Sequence, residues 1–469
     1  MVQITILNGI YTDNGPDFRT SYPVNMIPVP KGNGISEGFL RPADGIVSNG
    51  TGPGIDRGGI NWNGVCYRVM GSKLVSVSAT GAVTILGDVG NDGLLVTMDY
   101  SFDRLAIASS GHLFYWSPSL GLVQVTDADI GVVLDVVWVD GYFMTTDGEF
   151  LVVTDLTDPT QVNPLKYGSS EVDPDPVVAL LKLRNEVYAL NRNTIEVFDN
   201  VGSELFPFQR VDGAQIQKGV IGTQGCCVFM ETVAFLGSGR NESPGIYMGA
   251  NATANKISTQ EIDQILLDYT EEELALVKLE ARNDKAHQHL YVHLPDRTIV
   301  FDAAASQELN QPVWFTLTSS IEGFSKYRAQ NLVWCYDKWL VGDPTDDGIG
   351  YFVDNISTHW GQTVRWEFGT TIVYNEGRGA IFSELELVGL TGRVPLGADP
   401  YISTSYSIDG ETWSQPKAVK AGTIGQRQKR LVWFQQGWMR NWRIQRFQGT
   451  SDAHIACARL EARIEALAF

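Results

Sequence analysis

Between about residues 61 and 355 the apolar residues come in short runs or alternate with polar ones, and turns of two to four residues separate the runs. Period-two alternation is the mark of a half-buried strand, and turns this short join antiparallel neighbours. Residues 65–70 and 73–77 flank Gly71-Ser72, residues 105–108 and 112–116 flank Ser110-Gly111, and residues 186–190 and 194–198 flank Arg192-Asn193. One turn per unit can be marked at positions 71, 110, 147, 192, 241, 296 and 346, with separations of 37 to 55 residues. Such a spacing predicts a β-propeller of about seven blades, each a small antiparallel sheet of about four strands. The chain carries no repeated Trp-Asp or Gly-His motif, so it does not read as a WD40 sequence.

Two departures from this pattern define the remaining architecture. Across 258–277 the pairs Ser258/Glu261 and Thr270/Glu273 read as successive capping boxes, which predict a two-helix insertion. After residue 356 the alternating runs lengthen, at 363–374, 380–388, 402–408, 412–419, 429–433, 442–447 and 455–464, and predict a β-sandwich. The last of these is Ala-rich and fits helical spacing as well. Expected, then, is an all-β chain: a propeller over 61–356 with its helical insertion, a sandwich platform over 357–469, and a Gly- and Pro-rich segment, 1–60, packed on the platform.

Composition adds a division of charge. Charged residues make up 19% of the chain, below the usual ~25%, while Gly and Trp are abundant at 48 and 12. The formal net charge is −19, and residues 357–469 hold 13 Lys and Arg against 10 Asp and Glu, so residues 1–356 carry −22. An acidic chain argues against general nucleic-acid binding, which needs cations to displace counterions. No run of apolar residues is long enough to cross a membrane as a helix, and the N-terminus does not read as a signal peptide. Cys66, Cys226, Cys227, Cys335 and Cys457 are odd in number and lack a C-x-x-C pair. They read as buried thiols of a protein made in a reducing cytoplasm.

Candidate chemistry is sparse. His287, His289 and His293 share one strand face by parity, but spacing supplies no carboxylate to complete a metal site, so surface or interface histidines are the expectation. Residues 343–348 hold three carboxylates and a Gly without the closing Glu of a calcium loop, and read as a turn. Residues 407–413, SIDGETW, resemble the Asp-box hairpin of sialidase-like propellers one residue short, and predict a type I′ turn at Asp409-Gly410. No nucleophile, phosphate or dinucleotide motif is present, so neither catalysis nor a cofactor is expected. One basic and aromatic stripe stands out: Lys417, Lys420, Arg427, Lys429, Arg430, Arg440, Arg443 and Arg446, interleaved with Trp433, Phe434, Trp438 and Trp442. Arg and Trp are enriched at interface hot spots, and a protein interface is the favoured reading over a solvated strand face or a nucleic-acid contact.

Several stretches carry a family resemblance. Tyr22-Pro23-Val24-Asn25-Met26, then Gly38-Phe39-Leu40-Arg41 and Gly45-Ile46, resemble the N-terminal signature of the tail hub, or nozzle, of short-tailed bacteriophages, also called the packaged-DNA stabilisation or head-completion protein. Gln217-Lys218-Gly219-Val220, the turn within 262–273, and the stretch 294–307 are similar in the same order. The resemblance implies a homo-hexameric ring below an adaptor ring, with partners in tail fibres or spikes and a needle or plug protein. Genomic DNA would pass through the lumen without sequence-specific binding. It implies no catalytic residues; no membrane anchor is expected, the free thiols suit assembly in the host cytoplasm, and the platform is expected to contact the adaptor ring through its basic and aromatic stripe: Lys417, Lys420, Arg427, Lys429, Arg430, Trp438, Arg440, Trp442, Arg443 and Arg446. The alternative from residues alone is a propeller that binds or hydrolyses carbohydrate.

Overall fold

The computed structural model describes all residues except 8, 11–22, 32–37, 376–377 and 468–469; Tyr22 of the N-terminal signature lies outside the described residues. Seven antiparallel sheets follow one another along the chain. Their first strands, Asp56–Trp62, Thr97–Tyr100, Asp135–Val139, Val177–Leu183, Cys226–Phe229, Lys278–Asp284 and Gln330–Cys335, each neighbour the next, and the seventh neighbours the first. The result is a closed seven-bladed propeller. Seven buried apolar clusters lie one between each pair of adjacent blades. This placement follows from the alternation: successive side chains on a strand point to opposite faces, so each blade feeds two interfaces. Cys226 and Cys227 show it directly, the first packing toward blade four and the second toward blade six. All five cysteines are free thiols, and burial pushes Cys66 up to about 11 and Cys457 up to about 12.

Closure of the ring corrects the expectation for the first 60 residues. Strand Gly45–Thr51 pairs with Gly348–Val353 as the fourth strand of blade seven, and Asp56–Trp62 opens blade one. Among the described residues of this segment, Val2–Ile4, Met26–Pro30 and Gly38–Pro42 join the platform sheet. A buried polar junction accompanies closure. Arg68 and Asp56 of blade one, both without exposed side-chain surface, pair at 2.9 Å. Asn331 of blade seven donates to Asp56 (2.6 Å), and its carbonyl accepts from Arg68 (3.0 Å).

The helical insertion is α1 (Gln260–Leu267) and α2 (Glu271–Ala275). Thr270 and Glu273 form the predicted capping box. The first box does not form: α1 starts one residue later, at N-cap Thr259, because Ser258 is engaged by Asp263 (2.6 Å) and by the Ile246 N–H (3.1 Å). A third helix, α3 (Ala303–Leu309), is capped by Asp302, which accepts from the Ala305 N–H at 3.0 Å.

The C-terminal part is a sandwich of two sheets. One is built around Ala380–Leu390 and Ala456–Ala466, the other around Trp442–Thr450 and Tyr401–Ser407. Between them lie Trp366, Phe368, Phe382, Leu385, Trp433, Phe447 and Leu460. The Ala-rich last run is strand: Leu460 and Ala462 alternate into this core, and Cys457 joins them across a register shift opposite Val388/Gly389.

Residues 23–25 join sandwich to propeller. Val24 exchanges backbone hydrogen bonds with Glu367 (2.8 and 3.0 Å), and the Asn25 N–H donates to the Thr316 carbonyl of blade six (2.8 Å). Asn25 is buried with φ 52°. Its amide donates to the carbonyls of Thr318 (2.9 Å) and Arg365 (2.7 Å), and its oxygen accepts from the Thr318 N–H (3.1 Å). Beside it, Asp44 pairs with Arg41 (2.7 Å) and Arg282 (2.6 Å). Burial alone would raise Asp44, but the two guanidinium groups hold it down at about 2.

Candidate assembly surface

The basic stripe of the platform does not occupy one face. Strands Lys417–Lys420, Leu431–Phe434 and Trp442–Thr450 belong to different sheets or edges, so alternation sends some of the stripe inward. Arg443 is the clearest correction. It has no exposed surface; its guanidinium lies 4.3 Å from the Phe382 ring centroid and 3.9 Å from that of Tyr406, and donates to the Gln436 carbonyl (2.6 Å) and the Gln445 side chain (2.7 Å). Burial pushes it down to about 9, with no carboxylate to offset desolvation. A residue so enclosed cannot dock a partner. Trp433 is also in the core, and Arg446 is half-buried over Trp413, 4.0 Å from the ring centroid. Trp442 is half-buried.

The exposed remainder is Lys417, Lys420, Arg427, Lys429, Arg430, Arg440, Phe434 and Trp438. Some of this charge is already paired on the surface: Lys420 with Asp399 at 2.7 Å and Arg430 with Glu386 at 2.5 Å. Arg427, Lys429 and Arg440 form no ion pair among the described residues. Phe434 and Trp438 are 64% and 53% exposed, and Trp438 shares a shallow groove with Ile381 and Leu467. Large apolar side chains left in water beside unpaired cations have the composition of an interface core with a polar rim.

A second surface was not legible as such in the sequence. At one mouth of the propeller axis a cavity of about 350 Å³ is lined by Ile55, Arg57, Leu94, Leu134, Leu276 and Lys326. The four aliphatic residues sit just before the innermost strands of blades one, two, three and six, and all are at least 44% exposed. Their common position ahead of each inner strand was the available signal.

The other candidates resolve individually. Asp343 is buried and held by Arg328 (2.5 Å) and Thr345 (2.7 Å), which makes 343–348 a braced turn. In the SIDGETW hairpin, Asp409 accepts from the Glu411 and Thr412 N–H groups (3.0 and 2.8 Å) and Ser407 (2.9 Å). The Thr412 hydroxyl bond and these partners hold its carboxylate well below the usual range. Only Gly410 has positive φ, so the turn is not type I′, which needs it at both central residues. The histidines are not surface residues: His289 and His293 are buried and His287 partly so. His293 is saturated by Thr298 (3.0 Å) and Glu280 (3.1 Å). His287 and His289 both face Asp302, the carboxylate that spacing had not supplied.

Comparison with known families identifies the family of the chain. A family model described as the β-propeller of bacteriophage P22 Gp10 matches residues 2–357. The chain belongs to the P22 Gp10 family. Its β-sandwich model matches residues 365–465. The tail hub protein gp10 of Salmonella phage P22 is 26% identical over 464 residues, spanning 93% of this chain and 94% of that protein. This Gp10-family chain is a structural component of a phage tail, and nothing in its relatives points to catalysis. Among solved structures, the Neurospora crassa Pan2 WD40 domain is 9% identical with a TM-score of 0.42, covering 66% of this chain and 95% of that one. PorZ of Porphyromonas gingivalis is 12% identical with a TM-score of 0.41, covering 79% of this chain and 46% of that one. Likeness at that level adds nothing to the fold already described. Among the described residues no helix is long and apolar enough to cross a membrane.

Proposed function

We propose that this chain is the tail hub of a short-tailed phage, a homo-hexameric ring that attaches below an adaptor ring, retains packaged DNA and forms the ejection channel. The observation that carries the reading is the match to tail hub protein gp10 across 93% of the chain, both domains included. Geometry adds support for several copies around a shared axis. The axial cavity of one propeller, at about 350 Å³, has the size of a small-ligand site. A duplex needs a wider passage, which only neighbouring subunits can enclose.

In this reading the platform docks the adaptor ring through Phe434, Trp438, Lys417, Arg427, Lys429 and Arg440, and the propeller half holds the acidic surface that faces the duct. A wall with few cations lets DNA slide, because phosphate contacts would hold it in a salt-dependent grip. Fibres or spikes and a plug protein would occupy the outer and lower surfaces. Sedimentation or native mass measurement of the chain with its adaptor ring tests the assembly. Six copies per ring are expected, and monomers alone in the presence of the adaptor would overturn it. Charge reversal at Lys417, Arg427 and Arg440, all exposed, is expected to abolish docking while leaving the melting temperature unchanged.

A further inference from the structure

In blade six, His287 and His289 occupy alternate positions of strand His287–His293 and therefore the same face. Their rings stack with centroids 5.6 Å apart at 28°. Asp302, at the end of strand Thr298–Asp302, lies opposite His289 in the register and brings one carboxylate oxygen 2.6 Å from His287 Nδ1 and 3.3 Å from His289 Nε2. All three donor atoms lie within 4.8 Å of one another. Ligands on a tetrahedral zinc, with bonds of ~2.0–2.2 Å, stand about 3.3 Å apart. One contact already has that spacing, and the others are brought to it by movement of His287, the most exposed of the three.

We propose that His287 Nδ1, His289 Nε2 and a carboxylate oxygen of Asp302 form a binding site for one divalent transition-metal ion of the zinc class. Four features distinguish the trio from a merely structural network. Two imidazoles and one carboxylate are the donor types that suit zinc and its neighbours rather than magnesium or calcium. The carboxylate is fixed from behind, since its other oxygen caps α3 through the Ala305 N–H at 3.0 Å. His289 is wedged edge-on against Phe315 (5.5 Å) and Tyr291 (6.2 Å), while its Nδ1 makes no hydrogen bond, so the ring can pivot toward an ion without breaking another bond. His293 on the same strand has both ring nitrogens engaged by protein partners and is excluded as a ligand.

Charge and access are compatible with the ion. The nearby cations Arg41 and Arg282 are matched by Asp44 and Asp284, which leaves Asp302 without a Lys or Arg partner among the described residues. The site opens past His287, whose side chain is 13% exposed, where water would complete the coordination. On binding, each imidazole would present one ring nitrogen to the metal and keep a proton on the other. The ion would tie two strands of blade six to the start of α3.

The test uses the full chain with any affinity tag removed, stripped by chelator, equilibrated with zinc sulfate and dialysed before elemental analysis. One zinc per chain is expected, with affinity weakened about tenfold or more in His287→Ala and unchanged in His112→Ala, an exposed histidine elsewhere. Cobalt(II) provides a second readout that does not depend on a variant folding: the wild-type chain is expected to develop the visible absorption of a four- or five-coordinate N/O site. Absence of retained zinc, equal retention by His287→Ala, or a cobalt spectrum identical to that of the aqueous ion would each overturn the site.

Discussion

Replacing Arg68 by Met removes one side of the buried pair that closes the propeller. Methionine matches much of the volume, so the perturbation is chiefly electrostatic. Asp56 would keep Asn331 at 2.6 Å but lose its ion pair with Arg68, and Asn331 would lose a donor to its carbonyl. Stranding a charge in this way costs about 3–5 kcal/mol. For a propeller of about 300 residues, an unfolding entropy near 2.1 cal/mol/K per residue gives about 0.6 kcal/mol/K, so the melting temperature should fall by about 5–8 °C. Adding Asp56→Asn to the same chain removes the stranded charge and should recover about half of the loss. Scanning calorimetry of the wild type, both single variants and the double variant measures the coupling. A fall of less than about 2 °C in Arg68→Met, or strict additivity in the cycle, would refute the view that this blade-one ion pair, through its two bonds to Asn331, fastens blade one to blade seven.

Three further outcomes are expected. Asn25→Ala removes three buried hydrogen bonds and places Ala at φ 52°, which should cost about 2–4 kcal/mol; calorimetry should show the propeller and platform transitions moving apart, and one unshifted peak would contradict the joint. His359 is buried beside Ser319 and held down at about 3 by burial and then by Arg328. Its folded pKa is below its unfolded one, so the unfolded chain binds the extra proton as pH drops below about 6.5, and stability should fall by about 2 kcal/mol between pH 6.5 and 5; denaturant melts of wild type and His359→Gln should show this slope reduced in the variant. Gly81→Ala introduces a Cβ that would meet the Asn49 carbonyl at 1.4 Å, at φ +86°; weakened pairing of Gly45–Thr51 should appear as faster amide exchange in that strand, and unchanged exchange would argue against the close approach.

Much of the architecture was legible because each blade is local. Hairpins announce themselves through alternation and turn residues, and every blade but the seventh is built from neighbouring stretches of chain. What was hidden depended on distance. Gly45–Thr51 pairs with residues some 300 positions later, and no local pattern encodes that partner. Arg443 was misplaced because charge argues for water, whereas two aromatic faces and Gln445 receive it inside. The Asp302 ligand was reachable in principle. Folding the hairpin about Pro295-Asp296 sets His293 opposite Thr298 and hence His289 opposite Asp302, a count along two strands that spacing on one strand cannot reveal.

The strand that completes blade seven, Gly45–Thr51, leaves the ribosome some 300 residues ahead of its partner, Gly348–Val353. At about 5–20 residues per second, the early segment waits on the order of 15–60 s with an unpaired edge. Gly38–Pro42 waits longer still, because the strand it pairs with, Ala456–Ala466, is made only after residue 455. Neither domain can therefore seal during elongation. Translation stopping before residue 348 leaves an open ring and an unfinished sandwich together, so both domains depend on late-made strands.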